Sequence, residues 1–252
     1  MSPRLSVVMI ARDEERDLPD CLNSLRALEA EIVIVVDDRS TDQTKAAARR
    51  FTSHVFERTF DNYAAQKQSA LERAAGEWVL SIDADERVSA ELSAELLALC
   101  AEGDNGIAGY QIPFAVHFMG RHLRHGGLGG ERHLRLFRRA AGRFVGGSLH
   151  EGIEVTGAIR RTRGAIVHRP YRDLDEYLDK MTVYTTNAAR KRREAGRRFT
   201  VLHHLLPCWE FFRRTVLRLG ILDGTPGIVW AGLSAFHTWV KYLKLRELER
   251  NA

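Results

Sequence analysis

The stretch GEWVLSIDADERV, Gly76 to Val88, decides how the rest of the chain is read. Its apolar run, Trp78 to Ile82, has the length of a buried strand. It ends on Asp83 and Asp85, separated by one alanine, with Glu86 alongside. Carboxylates are costly to bury without a partner, so acids closing an apolar strand call for solvent or a cation. Two carboxylates two residues apart can point to one side, and Mg²⁺ typically takes one or two carboxylates together with substrate phosphates. A solvated acidic turn is the bland alternative. The strand context favours metal–phosphate binding.

Outward from this strand the pattern alternates. Leu5–Ile10 is a short β run, Leu18–Leu28 has helical spacing, and the β-branched Ile32–Val36 forms a second strand. A helix starts at the capping-type Thr41 and Asp42. His54–Glu57 is a weak strand, and NYAAQKQSALERAAG is a helix closing at Gly76. Another helix starts at Ser89. This βαβαβαβα order predicts a mostly parallel, Rossmann-like α/β sheet with right-handed crossovers. Ligands of open parallel sheets bind outside the carboxyl ends of the strands. Asp37–Asp38 and Asp83–Asp85 should therefore line one edge. At such an edge, acids suit the donors of ribose hydroxyls or of a uracil imino group.

The pattern changes near Gly106. AGYQIPFAVHFMGR and ERHLRLFRR read as strands around a glycine-rich HGGLGGERH. A helix follows with Asp173 and Glu176 spaced as a capping box, then an apolar helix near Pro207–Leu219 and another after GTPG. Two segments are expected: a catalytic one, 1–170, and a helical C-terminal extension, 171–252. Within the first, the alternating part, 1–100, carries both acid clusters, and 101–170 is the part whose pattern changes.

Composition sets the outer limits. The chain has 252 residues, 44% hydrophobic and 28% charged, which argues against disorder. Its three cysteines are far apart with no CxxC, so neither a zinc knuckle nor a disulfide framework is expected, and a reducing cytoplasm is. The Leu5–Ala11 run is broken by Arg12 and followed by acids, which does not read as a secretory signal. The net charge of +5 gathers in places such as RKRREAGRR, Arg190–Arg198. No nucleic-acid recognition motif accompanies that run, so nucleic acid is not the expected partner.

LSVVMIARDEE, VVDDRSTD, QKQSALERAAGEWVLSIDADE and HLRLFRRAAGRFVGGSLHE stand in the order and spacing of family 2 glycosyltransferases. Across roughly the first two thirds of the chain, they most resemble the WaaE-like β-glucosyltransferases of the lipopolysaccharide core. The resemblance implies a GT-A fold, a nucleotide-sugar donor, a divalent metal (Mg²⁺ or Mn²⁺) and transfer with inversion. Carried over, Asp38 would lie at the uracil. Asp85 would hold the metal that bridges the diphosphate, and Asp83 would assist it or hold the ribose. Ala11, Asp13, Glu14 and Asp37 would complete the donor wall, with Lys67 and Arg132 facing phosphate. Surface salt bridging is the cheap alternative for those two cations. His168 in VHRPYRD would complete the metal shell; a structural histidine is its bland reading. Two departures lie near the nucleoside: Ala11-Arg12-Asp13 where many relatives have Thr-Tyr-Asn, and Asp37-Asp38-Arg39-Ser40 where close ones have Asp-Ser-Gly-Ser.

GGSLHEG, Gly146–Gly152, is neither a GxSxG elbow nor part of HExxH. Inverting transfer needs a base on the acceptor hydroxyl, and Glu151, at the family's HE position, is the candidate. At the C-terminus, the uncharged run Gly224–Val240 is shorter than the roughly 20 residues of a spanning helix. A helix in the interface of an anionic membrane and a core helix are both open readings. The expectation is a metal-dependent, inverting transferase, cytoplasmic and peripheral on the inner membrane face. It would pass a sugar from a nucleotide donor, UDP-hexose for choice, to a glycan or lipid-linked acceptor of the cell envelope. The rivals are a sugar nucleotidyltransferase, whose glycine-rich lysine loop is missing after the first strand, and a non-catalytic scaffold on a membrane surface.

Overall fold

Val7, Val8 and Met9 are consecutive and all buried, which an ordinary half-exposed strand does not allow. They belong to β1 (Leu5–Ala11), the inner strand of a parallel group formed with β2 (Glu31–Asp37), β3 (Val55–Arg58) and β4 (Trp78–Ser81). Val7 lies opposite Ile32 on one side and Leu80 on the other. Its side chain joins a core with Met9, Leu22, Leu92 and Leu96, whereas Val8 points into a second core with Val33, Val79 and Phe137. Each fully buried aliphatic side chain contributes roughly 1.5–3 kcal/mol, so a strand with both faces covered fixes its own register.

The computed structural model describes residues 4–102, 105–146 and 151–250. Helices α1 (Leu18–Ser24), α2 (Thr44–Arg49) and α3 (Tyr63–Glu72) make the crossovers between the parallel strands. α2 starts later than expected: Asp42 accepts the Thr44 N–H at 2.9 Å and so precedes the helix instead of opening it. α3 ends at Glu72, four residues before the expected Gly76. Gly76 is required for another reason, since a Cβ there would lie 2.6 Å from the Ser6 backbone nitrogen on β1.

Past β4 the sheet changes sense. β5 (Glu86–Val88) and α4 (Ala90–Ala101), capped by Ser89, lead to β6 (Ile107–Phe118), β7 (Arg121–His122) and β8 (Arg132–Arg138). β8 inserts antiparallel between β4 and β6, giving the order β3-β2-β1-β4-β8-β6. β9 (Gly142–Gly146) and β10 (Glu151–Val155) form an antiparallel pair, β11 (Ala158–Arg161) runs parallel to β6, and β12 (Ile166–His168) pairs antiparallel with β5. The parallel reading therefore holds as far as β4, and the whole sheet is mixed. A parallel half continued by antiparallel strands and flanked by helices is the α/β, GT-A type of fold that the resemblance implies.

The chain divides into two compact units, Met1–Phe114 with Glu131–His168, and Ala115–Gly130 with Arg169–Ala252. The second unit thus takes in residues 115–130 from the middle of the chain as well as the C-terminal segment. Its frame is α5 (Leu174–Glu194), α6 (Leu206–Phe212) and α7 (Thr225–Arg250), with α6 running on as a π-helical turn over Arg213–Leu217. Asp173 caps α5 through the Glu176 N–H at 2.8 Å, and Glu176 in turn accepts the Arg172 N–H. Side-chain hydrogen bonds from Tyr177 and Lys244 tie α5 to α7. The Tyr177 hydroxyl donates to the Leu233 carbonyl at 2.7 Å, and the Lys244 ammonium reaches Thr182 O and the Thr185 and Thr186 hydroxyls at 2.8–2.9 Å. Asp223, buried, accepts the Arg124 and His125 N–H groups and the His125 ring. No helix of the described residues is long and apolar enough to cross a membrane.

Candidate active site

Parallel strands deliver their carboxyl ends to one edge, and here β1, β2 and β4 deliver Ala11–Asp13, Asp37–Asp38 and Asp83–Asp85. Ala11 is the buried last residue of β1, opposite Val36. Asp13 follows with a left-handed φ of 55°, a conformation that a short polar side chain tolerates by bonding locally. Its carboxylate accepts the Thr41 N–H at 2.7 Å and its own N–H goes to the Ser40 hydroxyl, so the loops after β1 and β2 are laced together. Those contacts, led by the Thr41 N–H, hold the Asp13 carboxyl below its usual range. Glu14 continues the lacing through its N–H to Thr44 Oγ1 at 2.7 Å.

Asp37 is buried and would be raised by that burial, but a bidentate bond from Arg39 (3.1 Å to each oxygen) and the nearby Arg12 hold its carboxyl low. Arg12 and Arg39, the residues that depart from the family pattern, are thus the counter-ions of Asp37. Asp38 is exposed and accepts a short hydrogen bond from the Thr59 hydroxyl.

The two aspartates after β4 diverge. Asp83 binds Lys67 Nζ with one oxygen and Arg135 with the other, each at 2.9 Å. Arg135 also reaches Glu86 at 2.6 Å, and Glu86 accepts the Asp83 N–H. Burial raises both acids, yet the two cations hold Asp83 well below the carboxylate range. Glu86, 2% exposed and beside two aspartates, is pushed up to about 7. Asp85 instead faces His168, Nε2 to Oδ2 at 3.2 Å. The β5–β12 pair makes this meeting, because its register sets His168 opposite Glu86. Burial alone would lower the His168 pKa; the Asp85 hydrogen bond and the surrounding acids raise it.

Among the described residues no group of three or more His, Cys, Asp and Glu is arranged to hold a metal. Asp85 and His168 are nonetheless a compatible pair. Two ligands of one octahedral ion with bonds near 2.1 Å lie about 3 Å apart, and Mg²⁺ commonly takes its remaining ligands from water and substrate phosphate. With both its oxygens engaged, Asp83 braces Lys67 and Arg135 in this structure.

A cleft of about 450 Å³ opens beside this cluster, lined by Lys67, Arg132, His133, Arg135, Phe144 and Gly152 among others. Arg132 is held by the Thr162 carbonyl at 2.9 Å. Glu151 opens β10, its backbone paired with Gly146, while its side chain and residues 147–150 lie outside the described residues. Sequence reasoning missed Arg135 and Glu86. The available signal was Arg135 between Leu134 and the buried Leu136, since an arginine in a sheet interior needs an acid, and DADE supplies acids. It also missed Phe114, whose ring lies 5.3 Å below the Arg135 guanidinium and 5.8 Å from the His168 ring.

The chain is 33% identical to the lipopolysaccharide core biosynthesis glycosyltransferase LpsC of Rhizobium meliloti, covering 96% of this chain and 94% of that one. An uncharacterised glycosyltransferase of Rickettsia typhi is 25% identical over 97% of this chain and 87% of its own. Among solved structures, S. aureus TarS 1–349 in complex with UDP is 16% identical, covering 98% of this chain and 91% of that one at a TM-score of 0.47. Glucosyl-3-phosphoglycerate synthase from Mycobacterium tuberculosis, in complex with Mn²⁺, UDP and phosphoglyceric acid, is 18% identical, covering 69% and 73% at a TM-score of 0.47. The family model described as glycosyl transferase family 2 matches residues 6–163, from β1 to just before β12; the chain belongs to that family and is a glycosyltransferase.

Proposed function

We propose that this glycosyltransferase moves a hexose from UDP, with inversion and with a divalent metal, to a glycan or lipid-linked acceptor of the lipopolysaccharide core or another envelope polysaccharide. The observation that carries this reading is the convergence of three parallel strand ends on one acid-lined edge, with the Asp85–His168 pair beside it. In this reading Asp38, Asp37 and the Asp13–Ser40 lacing bound the nucleoside. Asp85 and His168 hold Mg²⁺ or Mn²⁺, which when bound supplies charge stabilisation to the departing diphosphate. Asp83 keeps Lys67 and Arg135 aligned beside the cleft, where their charge and that of Arg132 favour the phosphates. Glu151 takes the proton of the acceptor hydroxyl as its oxygen bonds to the anomeric carbon and the bond from that carbon to the diphosphate breaks. The name of the Rhizobium relative supports the acceptor class. The basic, apolar second unit supports a site of action at the inner face of the membrane.

Calorimetric titration of UDP with and without Mn²⁺, into the intact chain and Asp85→Asn, tests it. The expected result is metal-dependent binding that Asp85→Asn weakens at least a hundredfold. UDP binding that ignores both the metal and the substitution removes the metal from the reading. No UDP binding at all removes the uridine.

A further inference from the structure

Between α5 and α7 the chain carries an amphipathic segment turned inside out. Leu202, Leu205, Trp209, Phe212, Val216 and Leu219 follow one another at spacings of three and four along a 3-10 turn, α6 and its π-helical continuation, and this stripe of six is exposed throughout. Leu205 and Trp209 keep 63% and 53% of their surface in solvent. The charged side of the same segment faces inward. Glu210 bonds both Arg213 (2.5 Å) and Arg214 (2.6 Å), Arg214 donates to the Gly126 carbonyl, and Thr215 beside them is only 6% exposed. A surface that meets only water has no reason to present this face, and a contiguous apolar patch of this kind marks a binding surface.

Charge identifies what the stripe meets. From 197 to 223 the chain holds five arginines, Arg197, Arg198, Arg213, Arg214 and Arg218, against two acids, Glu210 and Asp223. Both acids are engaged, Glu210 by the arginines and Asp223 by His125 and the Arg124 N–H. Arg197 and Arg198 lie exposed just ahead of the stripe, as do Arg190 and Arg193 at the end of α5. Exposed leucines with a tryptophan and a phenylalanine, bordered by arginines and with Glu194 the single exposed acid from 190 to 223, match the boundary between acyl chains and anionic headgroups. A second copy of the chain would set these arginines against one another. Since no described helix is able to cross a bilayer, the segment would lie in the interface. α7 is the weaker candidate, because Ala231, Ala235, Tyr242 and Leu245 are buried and Lys244 is bonded to α5.

We infer that residues 201–222 are the element by which this protein binds a lipid surface rich in anionic headgroups. The inference rests on the membrane part of the proposed function and locates it. Its test contains no sugar nucleotide, so failure here leaves the transferase reading intact, and failure of UDP binding leaves this one intact.

The experiment is flotation of the full chain with phosphatidylglycerol-containing vesicles and with pure phosphatidylcholine vesicles. The expected outcome is flotation with the anionic vesicles only. Leu205→Glu/Trp209→Glu should lower the bound fraction at least tenfold with an unchanged melting temperature, and Phe236→Glu on α7 should leave it alone. Should the double variant misfold, quenching of the wild-type tryptophan emission by brominated phosphatidylglycerol, lost in Trp209→Phe, reads the same contact. Absence of flotation with either vesicle, or flotation and quenching that survive these substitutions, overturns the inference. So does a dimer by light scattering that Trp209→Glu splits, which would assign the stripe to a second copy.

Discussion

The two units handle charge and apolar surface in opposite ways. The first buries its leucines on both faces of a sheet and gathers carboxylates at the strand ends, two of them braced by cations: Asp37 by Arg39 and Arg12, Asp83 by Lys67 and Arg135. The second pairs its half-buried charges with one another, Glu210 with Arg213 and Arg214, and leaves the apolar stripe in solvent. A cluster of paired charge in a partly desolvated site is preorganised for a charged ligand, because its dipoles need no reorganisation when the ligand arrives. An apolar stripe left exposed stores unspent hydrophobic free energy, available only when another surface covers it. In the proposed reading the contrast separates a site that does chemistry from a surface that locates it.

The largest effect that would sharpen this contrast is on the first unit's chemistry. Glu151→Gln should lower the transfer rate by about 10²–10⁴ with UDP binding unchanged; a rate left near wild type in a radiolabelled-sugar assay would move the base elsewhere. Next in size is the brace. Arg135→Met takes the cation from the buried Glu86 and one of two from the half-buried Asp83, and should cost about 3 kcal/mol in urea unfolding, far more than loss of a surface ion pair. A cost below 1 kcal/mol would mean that Lys67 alone satisfies Asp83.

A matched pair of leucines compares the two units directly. Leu96→Ala in the first core should destabilise by about 3 kcal/mol through the cavity it leaves, whereas Leu205→Ala on the stripe should stay within about 0.5 kcal/mol. Equal costs would show that the stripe is packed in solution and would break the comparison. The smallest effect concerns pH and belongs to the second unit. Burial alone would raise Asp223, but the His125 ring and two backbone N–H groups hold its carboxyl below the usual value. A carboxyl lowered in the folded state contributes stability that is complete above the unfolded pKa, about 3.9, and fades as pH falls through the folded value. Asp223→Asn should therefore cost about 2 kcal/mol near pH 6. Its thermal melting should converge on that of the wild type as pH drops below about 4. A gap that stays constant over that range would assign the cost to packing instead of charge.

Much of the first unit was legible in the chain itself. The β-branched run Ile32–Val36 and the apolar Trp78–Ile82 needed only period and length to be read as buried strands, and topology then placed their terminal acids on one edge. Legibility ended where a partner is distant in sequence. Nothing local in VHRPYRD says that His168 will face Asp85, 83 residues earlier, because the short β5–β12 ladder makes that contact. Arg135 was passed over for the same reason, since its two acids lie about fifty residues upstream. In the second unit an apolar helix near Pro207–Leu219 was visible, which takes in the stripe from Trp209 onward, but its direction was not. Periodicity states that a helix has an apolar face and leaves open whether that face turns inward.

What the sequence by itself determined is the family, the alternation of strands and helices, and the acid-ended strands of its first unit. These are carried by short-range spacing and by motifs in fixed order. Only the tertiary structure decided which acid meets which cation, that β8 enters the sheet antiparallel, and that α6 presents Trp209 and Phe212 outward. Those outcomes depend on pairings between segments tens of residues apart, where burial energy summed over many side chains selects one arrangement among several that the local pattern allows equally.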